Sequence, residues 1–119
     1  MALTFEIHLD DDGDLEDLRN WMDGTGPSEL RLVPRAAQAG AQGSAWEFLS
    51  VLCAAAGPLT AAMRALQLWI ESRVTVAKVV IGQRSVAIRS TNAAEVIPQL
   101  EKTALALLEA DEARTDDTA

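Results

Sequence analysis

The sequence is poor in the residues that most enzyme chemistry needs. Its 119 residues include one cysteine, one histidine and no tyrosine. The lone Cys53 excludes an internal disulfide framework and any cysteine-clustered zinc site. It also favours a reducing compartment. The seven glycines form no phosphate loop: Gly24-Thr25-Gly26-Pro27 lacks the lysine and the downstream spacing, and its proline removes an anion-binding amide. The length leaves no room for a second domain, a kinase fold or an eight-stranded α/β barrel. Nothing in the motif chemistry assigns a reaction, so no cofactor or metal is expected, and function must be read from architecture and resemblance.

What is present is apolar residues at 49% and a net charge of −8. That apolar content supports one core and argues against global disorder. The charge is segregated. Residues 1–23 hold eight acids against Arg19, residues 24–106 hold five acids against eight bases, and residues 107–119 hold five acids against Arg114. An acidic protein without a basic, aromatic-interleaved stripe is not expected to bind nucleic acid. The first apolar stretch alternates with polar residues and lacks a basic leader, so no signal peptide is expected and the cytoplasm is the default location.

Leu3, Phe5, Ile7 and Leu9 alternate with Thr4, Glu6 and His8, which predicts a half-buried strand. Asp10–Gly13 reads as a turn, and Asp14 as a cap for a helix over 15–23. In that helix Leu15, Leu18, Trp21 and Met22 form one stripe. Residues 29–33 read as a short strand closed by Pro34, and 35–44 as a loop. The run 45–72 predicts two helices, about 45–56 and 58–72, or one kinked helix, divided at Gly57-Pro58. Residues 74–81 and 84–90 predict a hairpin across Gly82-Gln83, with a bulge or strand end near Lys78. A last helix is expected to start near Pro98, either directly or after a short turn at 93–96, with residues 111–119 as an acidic disordered tail. The order β-α-β-α(α)-β-β-α predicts an α+β, two-layer sandwich over residues 1–110, with about four strands and helices mainly on one face.

Several residues invite a functional reading beside an ordinary one. Asp10, Asp11, Asp12 and Asp14 suggest calcium, but neither register of an EF-hand loop fits them, and a solvated turn with helix capping suffices. His8 as a general base with Ser44, Ser50 or an aspartate has no supporting signature. Cys53 in an apolar segment reads as packing. Trp46, Phe48, Leu49, Leu52, Met63 and Trp69 are the candidate interaction surface, because tryptophan anchors are enriched at interfaces and a small sheet cannot readily cover two such helices. Periodicity does not separate core from core plus interface. A membrane-associated subunit using helices over 45–70 is a further alternative, opposed by the Gly-Pro break and Arg64.

The stretches Leu15-Glu16-Asp17-Leu18-Arg19-Asn20-Trp21-Met22, Glu29 through Pro34, Gly57-Pro58-Leu59-Thr60-Ala61-Ala62 and Leu68-Trp69-Ile70-Glu71-Ser72-Arg73 carry a resemblance. With the hairpin and final helix after them, their order resembles the effector-associated constant component family of bacterial conflict systems, over roughly residues 3–110. The resemblance implies a small α+β adaptor or regulatory subunit rather than an enzyme. Its implied partners are a caspase-like or trypsin-like peptidase effector or an NTPase regulator, with homo-oligomerisation expected from the apolar surface. It carries no catalytic residues over to this chain. The Asp10–Asp12 cluster and the acidic tail depart from the commoner pattern.

Overall fold

A strand with strict alternation needs cover on one face, and the first strand obtains that cover together with a neighbour on each side. In the computed structural model, which describes residues 3–34, 46–73 and 76–117, β1 (Leu3–His8) is the middle strand of a five-stranded antiparallel sheet. The other strands are β2 (Glu29–Pro34), β3 (Trp46–Cys53), β4 (Val76–Ile81) and β5 (Arg84–Arg89), in the order β2-β3-β1-β4-β5. Register aligns Phe5 with Val51 and Ile81, and Ile7 with Leu49 and Val79, so these residues share one face. That face is buried. It is covered by α1 (Asp12–Met22), α2 (Ala56–Glu71) and α3 (Ala93–Asp117), whose apolar stripes join the same core. The fold is therefore a two-layer α+β structure with its helices on one face.

β1 and β2 run parallel with β3 between them, and β3 and β4 run parallel with β1 between them. Each parallel pair is joined through a helix. The first six elements thus follow the ferredoxin-like βαββαβ order, to which β5 and α3 are added.

The segment 46–53 departs from the sequence expectation: it is a strand rather than the first of two helices. Leu49, Val51 and Cys53 face the helices, while Phe48, Ser50 and Leu52 lie half-buried on the open face. Apolar residues on both faces of a central strand hide its period. Gly57 and Pro58 do not separate two helices but sit in the first turn of α2, where proline's missing N–H costs nothing. Lys78 causes no bulge. It lies on the open face, and Ala77, Val79 and Ile81 alternate inward in an unshifted register. α3 begins at Ala93 and includes Pro98. It runs to Asp117, through most of the stretch expected to be a disordered tail. The loop expected over 35–44 and the last two residues lie outside the described residues.

Two local features lock the helices. Asp11 caps α1 by accepting from the Gly13 N–H at 2.8 Å. Gly26, at φ 147°, lets the chain cross the start of α2, where a Cβ would lie 2.9 Å from the Pro58 carbonyl oxygen. Trp69 is buried in α2, with the Arg73 guanidinium 5.0 Å from its ring centre. Among the described residues its Nε1 has no hydrogen-bond partner.

An unmatched buried N–H costs about 1–3 kcal/mol, which offsets part of what the indole ring contributes. Trp69→Phe should therefore cost no more than about 1.5 kcal/mol, against about 3–5 kcal/mol for Trp69→Ala, in chemical denaturation. Cys53 provides a pH test. Burial pushes its thiol from 9.0 up to about 11. Above pH 9 the unfolded chain releases this proton and the native one does not, so stability falls between pH 9 and 11. That part of the fall should vanish in Cys53→Ala, and the native thiol should resist alkylation at pH 8 until denaturant is added.

Candidate interaction surface

α1 buries Leu15, Leu18 and Met22 against the sheet, which fixes its rotation. Trp21, one residue before Met22, is thereby carried to the rim of the helix and is 50% exposed. Its indole is nevertheless held: Nε1 donates to the Ala65 carbonyl oxygen of α2 at 2.9 Å. The ring forms one wall of an open groove of about 470 Å³, lined also by Thr25, Ala61, Arg64, Ala65 and Leu68. Leu68 is 47% exposed. The floor is apolar and the one charge belongs to Arg64. Thr25 is positioned by its Oγ1, which donates to the Met22 carbonyl oxygen at 2.6 Å. At the far end of α2, Arg73 pairs with Asp17 and lies 3.9 Å from Asp14, tying that end to α1. Trp and Arg are the residue types most enriched where binding energy concentrates, and a rigidly held indole loses little entropy on contact.

The six residues expected to form an interaction surface are split between the core and the half-exposed shell. Leu49, Met63 and Trp69 are buried, so presenting them to a partner would require opening the core. Trp46 is half-buried and packs against the core edge, while Phe48 and Leu52 are half-buried on the open sheet face. The spacing puts Trp21 on one stripe with Leu15, Leu18 and Met22, but the structure leaves it exposed. The stripe is narrower, using only i, i+3 and i+7 from Leu15. The exposed apolar pair Trp21 and Leu68 therefore comes from two segments far apart in sequence.

The acidic segment serves local structure. Asp11 is a cap, and Asp14 and Asp17 face Arg73. Among the described residues no cluster of histidine, cysteine and carboxylates could hold a metal ion. His8 lies on the open sheet face, with Nε2 3.0 Å from a Glu6 carboxylate oxygen and its ring 5.1 Å from that of Phe48. A small depression there is lined by His8, Leu9, Asp10, Glu47, Val76 and Lys78. None of those six side chains carries a hydroxyl or thiol. Cys53 is buried on the opposite face of the sheet. Ser50 sits across from Glu6 rather than His8, and Ser44 is outside the described residues.

Among the described residues no helix is long and apolar enough to cross a membrane, and the segment 45–70 is divided between the strand Trp46–Cys53 and the helix that starts at Ala56. No curated protein and no solved structure matches this chain. The sequence model of one family, described as Effector Associated Constant Component 1, covers residues 8–108, and the chain belongs to that family.

Proposed function

We propose that the protein is a non-enzymatic adaptor in a bacterial conflict system, acting in the cytoplasm. It associates with an effector, a caspase-like or trypsin-like peptidase, and couples it to an NTPase regulator. The family description supports association with effectors. The observation that carries the contact is the groove between α1 and α2, where Trp21 and Leu68 are exposed side by side above an apolar floor. Exposed apolar residues scattered singly need no explanation, whereas two large ones lining one groove mark a binding surface. Arg64 at the rim favours a partner with a carboxylate beside an apolar anchor. The adaptor also self-associates, so that one assembly presents more than one groove.

The test pairs the full chain with a caspase-like or trypsin-like peptidase effector from the same organism. Calorimetry should detect binding, and Leu68→Arg and Trp21→Ala should each weaken it by about thirtyfold, the size of a hot-spot loss. Leu68 lies outside the core, so Leu68→Arg should keep the native circular dichroism spectrum. His8→Ala should bind and support effector activity like the parent chain. Binding unaffected by both groove variants, or activity lost in His8→Ala, overturns the reading.

A further inference from the structure

The two edges of the sheet are guarded differently. β2 ends in Pro34, and its register with β3 shifts between Val33 and Pro34. Proline and irregular pairing are the usual devices that stop an edge from accepting another strand. β5 has neither device, and its centre, Ser85-Val86-Ala87-Ile88, is uncharged.

Hairpin geometry settles which backbone groups on β5 are free. Ile81 and Arg84 flank the two-residue turn, in which Gly82 has φ 60° and Gln83 a negative φ, as a type II′ turn requires. The flanking pair exchanges both of its hydrogen bonds, and alternation then directs Arg84, Val86 and Ile88 toward β4. The N–H and C=O of Ser85, Ala87 and Arg89 point away from the sheet. Those of Arg89 are already satisfied: its N–H donates to Asn92 Oδ1 at 2.7 Å, and its carbonyl accepts from the Asn92 N–H at 3.1 Å. Among the described residues the open part of the edge is therefore four groups, two on Ser85 and two on Ala87.

We infer that this edge pairs with a second copy of the chain, β5 against β5, antiparallel about a two-fold axis at Val86. This deepens the self-association in the proposed function and is independent of the effector groove. In this register Ser85 faces Ala87 of the second copy and Ala87 faces its Ser85. Both are hydrogen-bonded pairs, so all four free groups on each chain find partners. Centring on Ala87 instead would require Arg89 groups that Asn92 already holds. Centring on Ser85 would set Ala87 against Gln83 in the turn. The side chains agree with the Val86 register. Val86 meets its own copy, Arg84 lies opposite Ile88 and Gln83 opposite Arg89, so no like charges face each other. The result is one continuous sheet of ten strands, helices on one face throughout.

Sedimentation velocity on the full chain should show a dimer. Ala87→Pro removes a donor that points away from β4, so it should keep the fold, by circular dichroism and thermal melting, while raising the dimer dissociation constant about a hundredfold or more. Val86→Cys provides an independent readout. A non-hydrogen-bonded antiparallel pair places its Cα atoms about 4.5 Å apart, within disulfide range. Mild oxidation should link two Val86→Cys chains, with the buried Cys53 uninvolved. A chain that is monomeric at every accessible concentration overturns both this inference and the self-association reading. A dimer that Ala87→Pro leaves intact, or that Val86→Cys does not cross-link, overturns the edge pairing alone.

Discussion

Phe5 and Ile7 occupy the middle of the middle strand, and their alternation fixes the placement of the other elements. The face they define must be dry, because two large apolar side chains on one strand are matched by Val51, Leu49, Ile81 and Val79 on its neighbours. Burying such a set is worth several kcal/mol even by conservative area bookkeeping, on the order of 1.5–3 kcal/mol per side chain. Only a helix layer supplies that cover here. α1 reaches β2 and β3, α3 reaches β5 and β1, and α2 lies between these helices. A one-residue slip of β1 would turn Glu6 and His8 into that layer, so the register of this strand protects the whole arrangement.

The helix layer explains why the two inferred surfaces do not compete. The groove forms where α1 meets α2, and the free edge belongs to the strand beside α3. One strand edge is thus left for the inferred second copy and one helix–helix seam for the proposed partner. The open sheet face carries Glu6, His8, Arg31, Ser50 and Lys78 among half-buried apolar residues, the mixed composition normal for an antiparallel sheet with one wet side.

Legibility of the sequence followed the number of constraints acting on each segment. β1 and α1 each bury one face and wet the other, so their periods of 2 and 3.6 could be read directly. The β4–β5 hairpin was legible from Gly82, because few residues tolerate a positive φ at the first turn position. The strand 46–53 was not legible, since Phe48 and Leu52 on one face and Leu49 and Val51 on the other make an uncharged run broken only by Ser50. Followed by Cys53 and three alanines, such a run fits a buried helix as well as a central strand. The inward face of α2, from Leu59 to Ile70, was read correctly, and for that reason Met63 and Trp69 belong to the core. Trp21 was missed as a surface residue because a stripe inferred from spacing has no sharp edge. Its exposure is decided by where α2 passes, which is a tertiary fact. The nearest signal in the sequence was its position at i+6 from Leu15, about 90° round the helix from the centre of the stripe that Leu15, Leu18 and Met22 form.

Asn92 does more than start the last helix. By occupying the outward groups of Arg89 it shortens the open edge to a length that one symmetric pairing consumes completely. An isologous contact of this kind is closed: once two chains have met, neither offers a second copy of the same surface. In the proposed dimer growth would end at two, and the guarded opposite edge would keep the pair from extending into a fibre. In the proposed dimer a single side-chain amide thus chooses the register, and the symmetry of the contact sets the limit of two.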